Sequence, residues 1–296
     1  MKFKYLLLFT LLSNISYSQK NIIIANSISN TPILYANIKV LNSDKGFYSN
    51  NKGIFIIDNK LNKNDSILVT CLGYSSIKKQ IGKLKDTIFL NPSIENLKEI
   101  TLKSKKPILK KIGFKRKNMA FFTGTDFRLG LLIQPVKKDE NKYINEIIIP
   151  VTKGIKHIKR KNKTFNSILK VLLFSVKENH PYKTIIKKPI IINYNNNSRK
   201  KIKVDISDEN IQFDNNGIFI CIEIVGEIDI DGNIINQKNP RPGFVCTDKK
   251  TKDFSNYKTY YKQTADNDWK EFRKETFHLE KDMFLAIQLI LAKYEG

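Results

Sequence analysis

Histidine is the first residue type to test for chemistry, because it serves both as a metal ligand and as a general base near neutral pH. The chain has three histidines, His157, His180 and His278. A zinc peptidase site needs a His-x-x-Glu pair, a second distant histidine and one open coordination position. Arginine and lysine follow His157 and His180 at that spacing, and Glu280 lies only two residues after His278. We therefore predict that each histidine is structural and that the chain has no metal site.

Nucleophilic catalysis has no support from the sequence either. There is no Gly-x-Ser-x-Gly segment, no cysteine and histidine in a recognisable local motif, and no glycine-rich loop of the kind that binds phosphate groups. We predict no catalytic residue and no cofactor, and hence a protein that is not an enzyme.

A group of carboxylates lies in Glu227–Asn233, EIDIDGN, where Glu227, Asp229 and Asp231 stand beside a glycine. These oxygen donors can hold calcium, but the spacing of an EF-hand loop and its distal glutamate are missing. Asp-Gly and Gly-Asn steps are also common in β-hairpin turns, and we prefer that interpretation. A cryptic hydrolase, as an alternative function, would need carboxylates such as Glu223, Asp229 or Asp231 to converge in one pocket.

Aromatic side chains cluster in the segment Asn256–Phe272, which contains Tyr257, Tyr260, Tyr261 and the single tryptophan, Trp269. Aromatic rings bind sugars because both have apolar faces with polar rims. The same residues can instead pack on a sheet or cover its edge, which is the commoner fate of aromatic side chains. We take these four residues as the candidate binding residues of the chain.

The chain carries 52 Lys and Arg residues against 28 Asp and Glu, a formal net charge of +24. Such a charge attracts polyanions, acidic glycans and anionic lipid surfaces. Only six of the 52 basic residues are arginine, and Lys, Asn and Ile are abundant throughout, which indicates compositional bias rather than a built patch. The densest basic run, Lys153–Phe165, has no aromatic residues interleaved among its basic ones and is predicted to be a loop. We therefore exclude nucleic acid as a partner.

The N-terminus predicts the compartment. Lys2 and Lys4 precede the apolar run Tyr5–Leu12, and small residues stand at the −3 and −1 positions of a cleavage site after Ser18. These features are typical of a secretory signal peptide, residues 1–18. The run is too short to span a bilayer, and no later stretch approaches the roughly 20 apolar residues that a transmembrane span requires. We expect an exported protein that is periplasmic, associated with the outer membrane or extracellular.

Three cysteines cannot all pair within one chain. Cys71 lies on the same face of a strand-like run as Ile67 and Val69, so we predict that it fills a small core position. A bridge between Cys221 and Cys246 is compatible with the sequence, and so are two separate buried thiols.

Short apolar or alternating runs separated by turn residues indicate an all-β protein. In the first part, residues 19–103, helical periodicity is absent, and the intervening segments are rich in Asn, Ser, Asp and Gly. We predict a small antiparallel sandwich here. Its expected strands are Asn21–Ala25, Ile33–Leu41, Gly53–Asp58, Ser66–Leu72, Asp86–Leu90 and Glu99–Leu102.

A basic segment, residues 104–118, is predicted to be a linker or a solvated edge. The second part, residues 119–296, is again strand-rich, and its pattern favours a jelly-roll-like β-sandwich. The clearest strands are Tyr143–Val151, Ser167–Val176, Lys183–Tyr194, Lys200–Ser207, Gly217–Ile228 and Met283–Ala292. The last of these runs is also compatible with a short helix.

Two segments of the first part carry a recognisable pattern. Thr31–Ile57 contains a Pro-hydrophobic-x-x-Ala strand followed by a Gly-x-Phe hairpin, and in Asp65–Ser76 an Asp-x-Ile strand runs into the step Gly73-Tyr74. In these features residues 20–103 resemble the carboxypeptidase-regulatory-like domain, a transthyretin-like sandwich common in exported Bacteroidetes proteins. The resemblance implies a Greek-key β-sandwich that accompanies catalytic domains without performing catalysis.

The segments Ile168–Ile186, Ile202–Phe213 and Gly217–Gly226 resemble a jelly-roll region that follows this domain in many exported flavobacterial proteins, and the resemblance implies no particular activity. The sequence as a whole predicts an exported, non-catalytic binding or surface-interaction protein whose partner is a glycan, a polyanion or a component of the cell envelope. The alternatives are the cryptic hydrolase and an accessory component of an outer-membrane uptake system.

Overall fold

A computed structural model describes most of the chain. The residues it describes are 20–43, 45–57, 61–93, 106–114, 119–125, 127–154, 164–229, 231–235, 241–248, 250–263, 268–275 and 279–294. The predicted signal peptide, the predicted strand Glu99–Leu102, most of the basic run Lys153–Phe165, His157 and His278 lie outside these ranges.

Within these ranges the protein consists of β-strands and turns, and no α-helix is present. Three single-turn 3-10 segments occur, at Ile81–Lys83, Lys137–Asp139 and Ser207–Glu209. The predicted all-β class is confirmed. No helix in the described part of the chain is long and apolar enough to cross a membrane.

The chain divides into two compact units: the first comprises Met1–Ser43 and Phe47–Pro92, and the second comprises Ser93–Gly296 together with Asp44–Gly46. The strands of the first unit are β1 (Lys20–Asn26), β2 (Asn37–Val40), β3 (Gly46–Tyr48), β4 (Ile54–Ile57), β5 (Ser66–Thr70), β6 (Ile77–Gln80) and β7 (Thr87–Leu90).

These strands form two sheets, ordered β4-β1-β7 and β3-β2-β5-β6. One pair departs from the antiparallel expectation, because β7 lies parallel to β1. The alternating residues of both sheets meet in one apolar core, as a β-sandwich requires. Its fully buried members include Ile22, Ile24, Ile38, Val40, Ile67, Val69, Ile88 and Leu90.

The hairpin region of this sandwich depends on two residues, Gly53 and Ser49. Gly53 has a φ of +72°, and a Cβ at this position would lie 2.9 Å from the carbonyl oxygen of Ile24, so only glycine fits. The hydroxyl of the fully buried Ser49 accepts a hydrogen bond from the N–H of Ala36 and donates one to the carbonyl of Ile33, each at 2.9 Å. The two hydrogen bonds of this hydroxyl connect neighbouring segments and compensate for the loss of its contacts with water.

The Gly73-Tyr74 step ends the strand that carries Cys71. Gly73 has a φ of +83°, which turns the chain so that Tyr74 forms an isolated bridge with Pro92. Cys71 is half-buried against the core and is not part of a disulfide. The segment therefore serves the architecture of the sandwich, in the way that its sequence suggests.

The second unit contains sixteen described strands. They are β8 (Ile108–Gly113), β9 (Met119–Phe121), β10 (Phe127–Pro135), β11 (Lys142–Thr152), β12 (Asn166–Lys177), β13 (His180–Thr184), β14 (Ile190–Asn195), β15 (Lys201–Asp205), β16 (Gln212–Phe213), β17 (Ile218–Ile228), β18 (Ile234–Ile235), β19 (Gly243–Thr247), β20 (Phe254–Gln263), β21 (Lys270–Glu271), β22 (Phe284–Leu285) and β23 (Gln288–Lys293).

Two eight-stranded sheets result. One is ordered β13-β12-β17-β10-β20-β21, with β14 also on β12 and β18 on β17. The other is ordered β22-β19-β11-β23-β8, with β15 and β16 on β11 and β9 on β19. Leu129, Leu131 and Ile133 on β10 and Ile220 and Ile222 on β17 are fully buried, so one side of the first sheet is a core face. The finer jelly-roll assignment stays a prediction.

Strand β12 has two partners along the same edge. β14 pairs with its first half, from Asn166 to Val171, and β13 pairs with its second half, from Phe174 to Lys177. The predicted single strand Lys183–Tyr194 is thus divided between two strands, with a break before Ile190. Proline at position 189 has no N–H to donate to a ladder, which accounts for the break.

Other sequence expectations need correction in the second unit. Strands β10 and β20 were absent from the predicted set, although both are central to the first sheet. The run Met283–Ala292 is two strands, β22 and β23, and its interpretation as a helix was wrong. Of the two alternatives for the basic segment 104–118, a linker or a solvated edge, the linker does not hold for strand β8, which lies at the edge of the second sheet beside β23.

A buried carboxylate secures this edge strand. The side chain of Asp139 is 0% exposed and accepts a hydrogen bond from Lys110 of β8 at 2.6 Å and another from Lys142 of β11. Burial alone would raise the pKa of Asp139, but the hydrogen bonds and positive charges of the two lysines outweigh it and hold the pKa below its usual value.

We expect Asp139→Asn to lower the free energy of unfolding by about 2–4 kcal/mol at pH 7, because two lysines lose their buried partner. The folded-state pKa of Asp139 is lowered, so its contribution is present above the unfolded pKa, about 4, and is lost as the pH falls through the folded value. The difference between variant and parent should therefore narrow below about pH 4.

Urea unfolding followed by tryptophan fluorescence checks this, since the single tryptophan, Trp269, lies in the second unit. Asp208→Asn is the matched control, because Asp208 is an exposed residue of another 3-10 turn. A destabilisation of Asp139→Asn that stays constant from pH 7 to pH 3 would contradict the assignment.

Candidate functional site

The side of the first eight-stranded sheet that lies opposite its core face carries the candidate site. The register places Leu172 of β12 opposite Cys221 of β17, Cys221 opposite Gly130 of β10, and Gly130 opposite Tyr260 of β20. Side chains two positions away on each strand lie on the same side, because the side-chain period of a strand is two. We call this side the outer face.

Three aromatic rings pack together at the centre of the outer face, and we call them the aromatic platform. They are Phe219, Tyr260 and Trp269. The ring centroids of Phe219 and Trp269 are 4.9 Å apart in an edge-to-face arrangement, and those of Phe219 and Tyr260 are 5.5 Å apart. Phe219 and Tyr260 are buried, whereas Trp269 is half-buried. Solvent therefore meets the platform at Trp269.

Gly130 makes the close packing of the platform possible. A Cβ on Gly130 would lie 2.3 Å from the Phe219 ring and 2.9 Å from the Trp269 ring. The glycine is in the middle of a strand, where it weakens the local backbone, and such a residue often marks a close approach of other groups. Here the approaching groups are two aromatic rings.

An apolar surround extends the platform toward β12. Leu132 and Cys221 are buried beside it, and Leu172, Phe174 and Val176 are partly buried against the same cluster. Burial raises the pKa of the Cys221 thiol, and the negative charge of Glu223 raises it further. The thiol is thus protonated and enclosed, which removes it as a nucleophile.

The turn between β12 and β13 reaches the far side of the platform. The hydroxyl of Tyr260 donates a hydrogen bond to the carbonyl of Asn179 at 3.2 Å, and the rings of Tyr260 and His180 are 6.0 Å apart. Glu178 and Asn179 both have positive φ, +52° and +63°, as a two-residue hairpin turn of type I′ requires. Burial raises the pKa of Tyr260, so the hydroxyl stays a hydrogen-bond donor.

A row of charged residues crosses the outer face next to the platform. The register aligns Lys170, Glu223, Arg128 and Lys262 on four adjacent strands. Glu223 is 2% exposed, and its two carboxylate oxygens lie 3.3 Å from Arg128 Nε and 3.3 Å from Lys170 Nζ. A buried carboxylate is tolerated here because two cations surround it.

The four candidate aromatic residues separate into two groups. Tyr260 and Trp269 meet on the outer face, in the platform. Tyr257 and Tyr261 alternate with Tyr260 along β20 and point to the other side. There the centroid of Tyr257 lies 5.0 Å from that of Phe114, and the centroid of Tyr261 lies 6.0 Å from that of Phe127. These two tyrosines pack against other rings.

The carboxylates considered for calcium or hydrolysis serve local structure. Glu227 is buried and binds the guanidinium of Arg241, with Nε at 3.3 Å from Oε1, and that guanidinium also lies over the ring of Phe165. Asp229 accepts hydrogen bonds from the N–H groups of Asp231 and Asn233 in its own turn, as hairpin chemistry predicts. Among the described residues, no group of three His, Cys, Asp or Glu side chains could hold a metal ion.

The hydrogen bonds of its turn lower the pKa of Asp229, the bond from the Asn233 N–H most of all. Glu223 forms ion pairs with Lys170 and Arg128. The carboxylates that a hydrolase would use therefore have different bonding partners. The two cysteines of this unit are also separate, since Cys221 and Cys246 belong to different sheets and both thiols are free. The bridge between them is excluded.

Sequence reasoning missed the partners of Glu223 and the role of Gly130. The segments FRLGLLI, SILKVLLF and FICIEIV each place one charged residue inside an apolar strand, namely Arg128, Lys170 and Glu223. A single charge inside an apolar strand needs a partner when the strand is buried. That pattern predicts a buried ion pair across strands, although it does not give the register.

Comparison with known proteins bears on the first unit. Residues 23–102 match the model of the family described as CarboxypepD_reg-like domain. The resemblance of the N-terminal module is therefore confirmed for that part of the chain. Searches of curated proteins and of solved structures gave no match.

We expect Gly130→Ala to disturb the platform, because the added methyl group overlaps the rings of Phe219 and Trp269. Overpacking of this kind costs about 1–3 kcal/mol. The tryptophan emission should shift to longer wavelength and the urea midpoint should fall. Gly154→Ala is the control, since nothing lies within 4 Å of a Cβ built at Gly154. Emission and midpoint equal to those of the parent would show that the rings do not need this glycine.

Proposed function

We propose that this protein is an exported, non-catalytic binding protein whose second unit holds a saccharide of the cell envelope or its surroundings against the aromatic platform. The observation that carries this proposal is the placement of half-buried Trp269 on the buried ring of Phe219. The rigid ring beneath orients the indole, and the indole remains the part of the cluster that a ligand can reach.

The chemistry of the platform suits a sugar ring. An aromatic face attracts the apolar C–H face of a pyranose, while the rim of the sugar keeps its hydroxyl groups toward polar side chains. Such side chains border the platform, with Lys258, Glu271 and Arg273 on one flank. A binding site of this type needs one or two fixed rings and a polar rim, and both are present.

The absence of converging reactive groups favours binding over hydrolysis. The carboxylate of Glu223 is held by Arg128 and Lys170, and that of Asp229 is held by its own turn. The Cys221 thiol is buried and protonated. No pair of these groups is placed to act on one substrate as acid and base.

The first unit supports a role in the cell envelope. Its match to the CarboxypepD_reg-like domain belongs to a class of sandwich that, by resemblance, accompanies other domains without catalysing a reaction. Export rests on the signal-peptide pattern of residues 1–18. Together they suggest a modular exported protein in which the first unit is structural and the second binds the ligand.

We expect Trp269→Ala to reduce saccharide binding by about tenfold or more, since one stacked ring contributes on the order of 1.4 kcal/mol. The measurement is binding of the full chain to a glycan array, followed by titration of each positive saccharide. Low and moderate salt should be compared, because an interaction due only to surface lysines disappears as salt screens it.

Phe89→Ala is the matched control, because Phe89 is an exposed aromatic residue of the first unit. It should leave binding unchanged. Binding that both variants retain in full, or that vanishes at moderate salt for every saccharide, would refute a specific site at Trp269.

A further inference from the structure

We infer that Glu271 is the hydrogen-bond acceptor of the saccharide site, and that the site therefore takes uncharged sugars with free hydroxyl groups rather than acidic ones. This inference rests on the proposed function, because it names the ligand class and a specificity-determining residue of the same site. Its support is the position of Glu271 beside the aromatic platform and the different surroundings of its two carboxylate oxygens.

Glu271 lies on the outer face, at the border of the platform. Strand β21 places it opposite Tyr260 of β20, and Trp269 stands two residues before it in the chain. Opposite residues of an antiparallel pair point to the same side of the sheet, with Cβ atoms about 4.5–5.5 Å apart. Burial raises the pKa of Tyr260, and the negative charge of Glu271 raises it further, as expected for close neighbours.

Two cations fix one oxygen of the Glu271 carboxylate. Lys258 Nζ lies 3.3 Å and Arg273 Nη2 lies 3.1 Å from the same atom, Oε2. The other oxygen, Oε1, accepts no hydrogen bond from the residues that the structure describes. The Glu271 side chain is 29% exposed, so a ligand can reach it. A carboxylate that is already held by one oxygen binds a ligand hydroxyl with the other at a smaller cost in side-chain entropy.

This arrangement suits a hydroxylated sugar ring. A sugar hydroxyl both donates and accepts, and its hydrogen bond to an ionised carboxylate belongs to the stronger class of hydrogen bonds. The side chains of Lys258 and Arg273 are 37% and 64% exposed, and each has further N–H groups besides the one directed at Oε2. A sugar stacked on Trp269 therefore has an acceptor and donors along one edge of the platform.

The same arrangement disfavours a sugar that carries a carboxylate. An ionised carboxylate has acceptors only, so two of them cannot share a hydrogen bond, and their like charges repel at short range. The exposed Asp268 adds a negative charge directly before Trp269 in the chain. Arg273 does not offset this charge freely, because Glu275 and Asp282 also interact with it electrostatically.

The test measures binding of the full chain to three probes of equal length: cellohexaose and galactohexaose, which are uncharged, and hexagalacturonate, which carries a carboxylate on every ring. Isothermal titration at moderate salt gives the dissociation constants and suppresses binding that is due to surface lysines alone. We expect one or both uncharged probes to bind at least about tenfold more tightly than hexagalacturonate, since the acidic probe loses a charge-assisted hydrogen bond.

Variants assign the selectivity to Glu271. Glu271→Gln keeps the shape of the side chain and removes its charge, so it should weaken the uncharged probes by about three- to tenfold and strengthen hexagalacturonate by about threefold or more. A merely structural role would change all probes in the same direction, so the ratio of the dissociation constants separates the two roles. Trp269→Ala should weaken every probe that the parent binds.

Glu146→Gln is the matched control. Glu146 is also a partly buried carboxylate in an ion pair, with Lys203 at 3.4 Å and a side chain that is 20% exposed, but it lies on β11 in the other sheet. This variant should leave all three dissociation constants unchanged.

Three results would overturn the inference, and they differ in what they leave standing. A ratio that Glu271→Gln leaves unchanged, with binding lost in Trp269→Ala, keeps the saccharide site and removes Glu271 from its specificity. Binding of hexagalacturonate by the parent that is as tight as that of the uncharged probes, or tighter, removes the ligand class. No binding of any probe removes both the inference and the proposed saccharide function.

Discussion

Burial of both sides of strand β17 is the constraint on which the second unit depends. Ten of its eleven residues are buried. A strand that is buried on both sides needs a packed layer on each side. Because successive side chains of a strand point to opposite sides, its residues form two sets, one for each layer. Ile220, Ile222 and Ile224 supply the core face, while Phe219, Cys221 and Glu223 supply the outer face. Individual side chains from neighbouring strands and from a connection contact the second set.

The protein covers those residues in two ways. Phe219 is covered by Trp269 and Tyr260, which requires a bare backbone at Gly130. Glu223 is covered by the long side chains of Arg128 and Lys170, whose charges match its own. Side chains that cover a sheet one by one remain partly exposed to solvent, and a ligand can contact their exposed parts. The candidate site is thus a consequence of how the central strand is buried.

Alternation in the sequence predicted the first unit well and the second only partly. β1, β4, β5 and β7 lie within one or two residues of predicted strands, because one side of each is apolar and turn residues bound it. FRLGLLIQP has an apolar residue at every second position, but Gly130 and Leu132 interrupt the polar side that begins with Arg128, and β10 was therefore missed. The sequence of β20 does not predict a strand, because tyrosines and polar residues occur on both of its sides.

The candidate site could be predicted only in its parts. The aromatic residues were recognised, and a period of two would have separated Tyr260 from Tyr257 and Tyr261. Trp269 lies outside the strand, so its position over Gly130 depends on a connection that follows no simple rule. The charged row depends on register, which places Lys170, Glu223 and Arg128 opposite one another across three strands. Register arises from turns and packing along the whole sheet and is not encoded in any one segment.

The double pairing of β12 has a consequence for solubility. A twelve-residue strand at the margin of a sheet would present a long row of free N–H and C=O groups, which is a template for association with other chains. Here β13 and β14 divide that margin between them, so its outer border is two short strands, five and six residues long, rather than one long one. Interrupted borders of this kind resist edge-to-edge aggregation, and they protect a chain whose strands are as rich in isoleucine as these are.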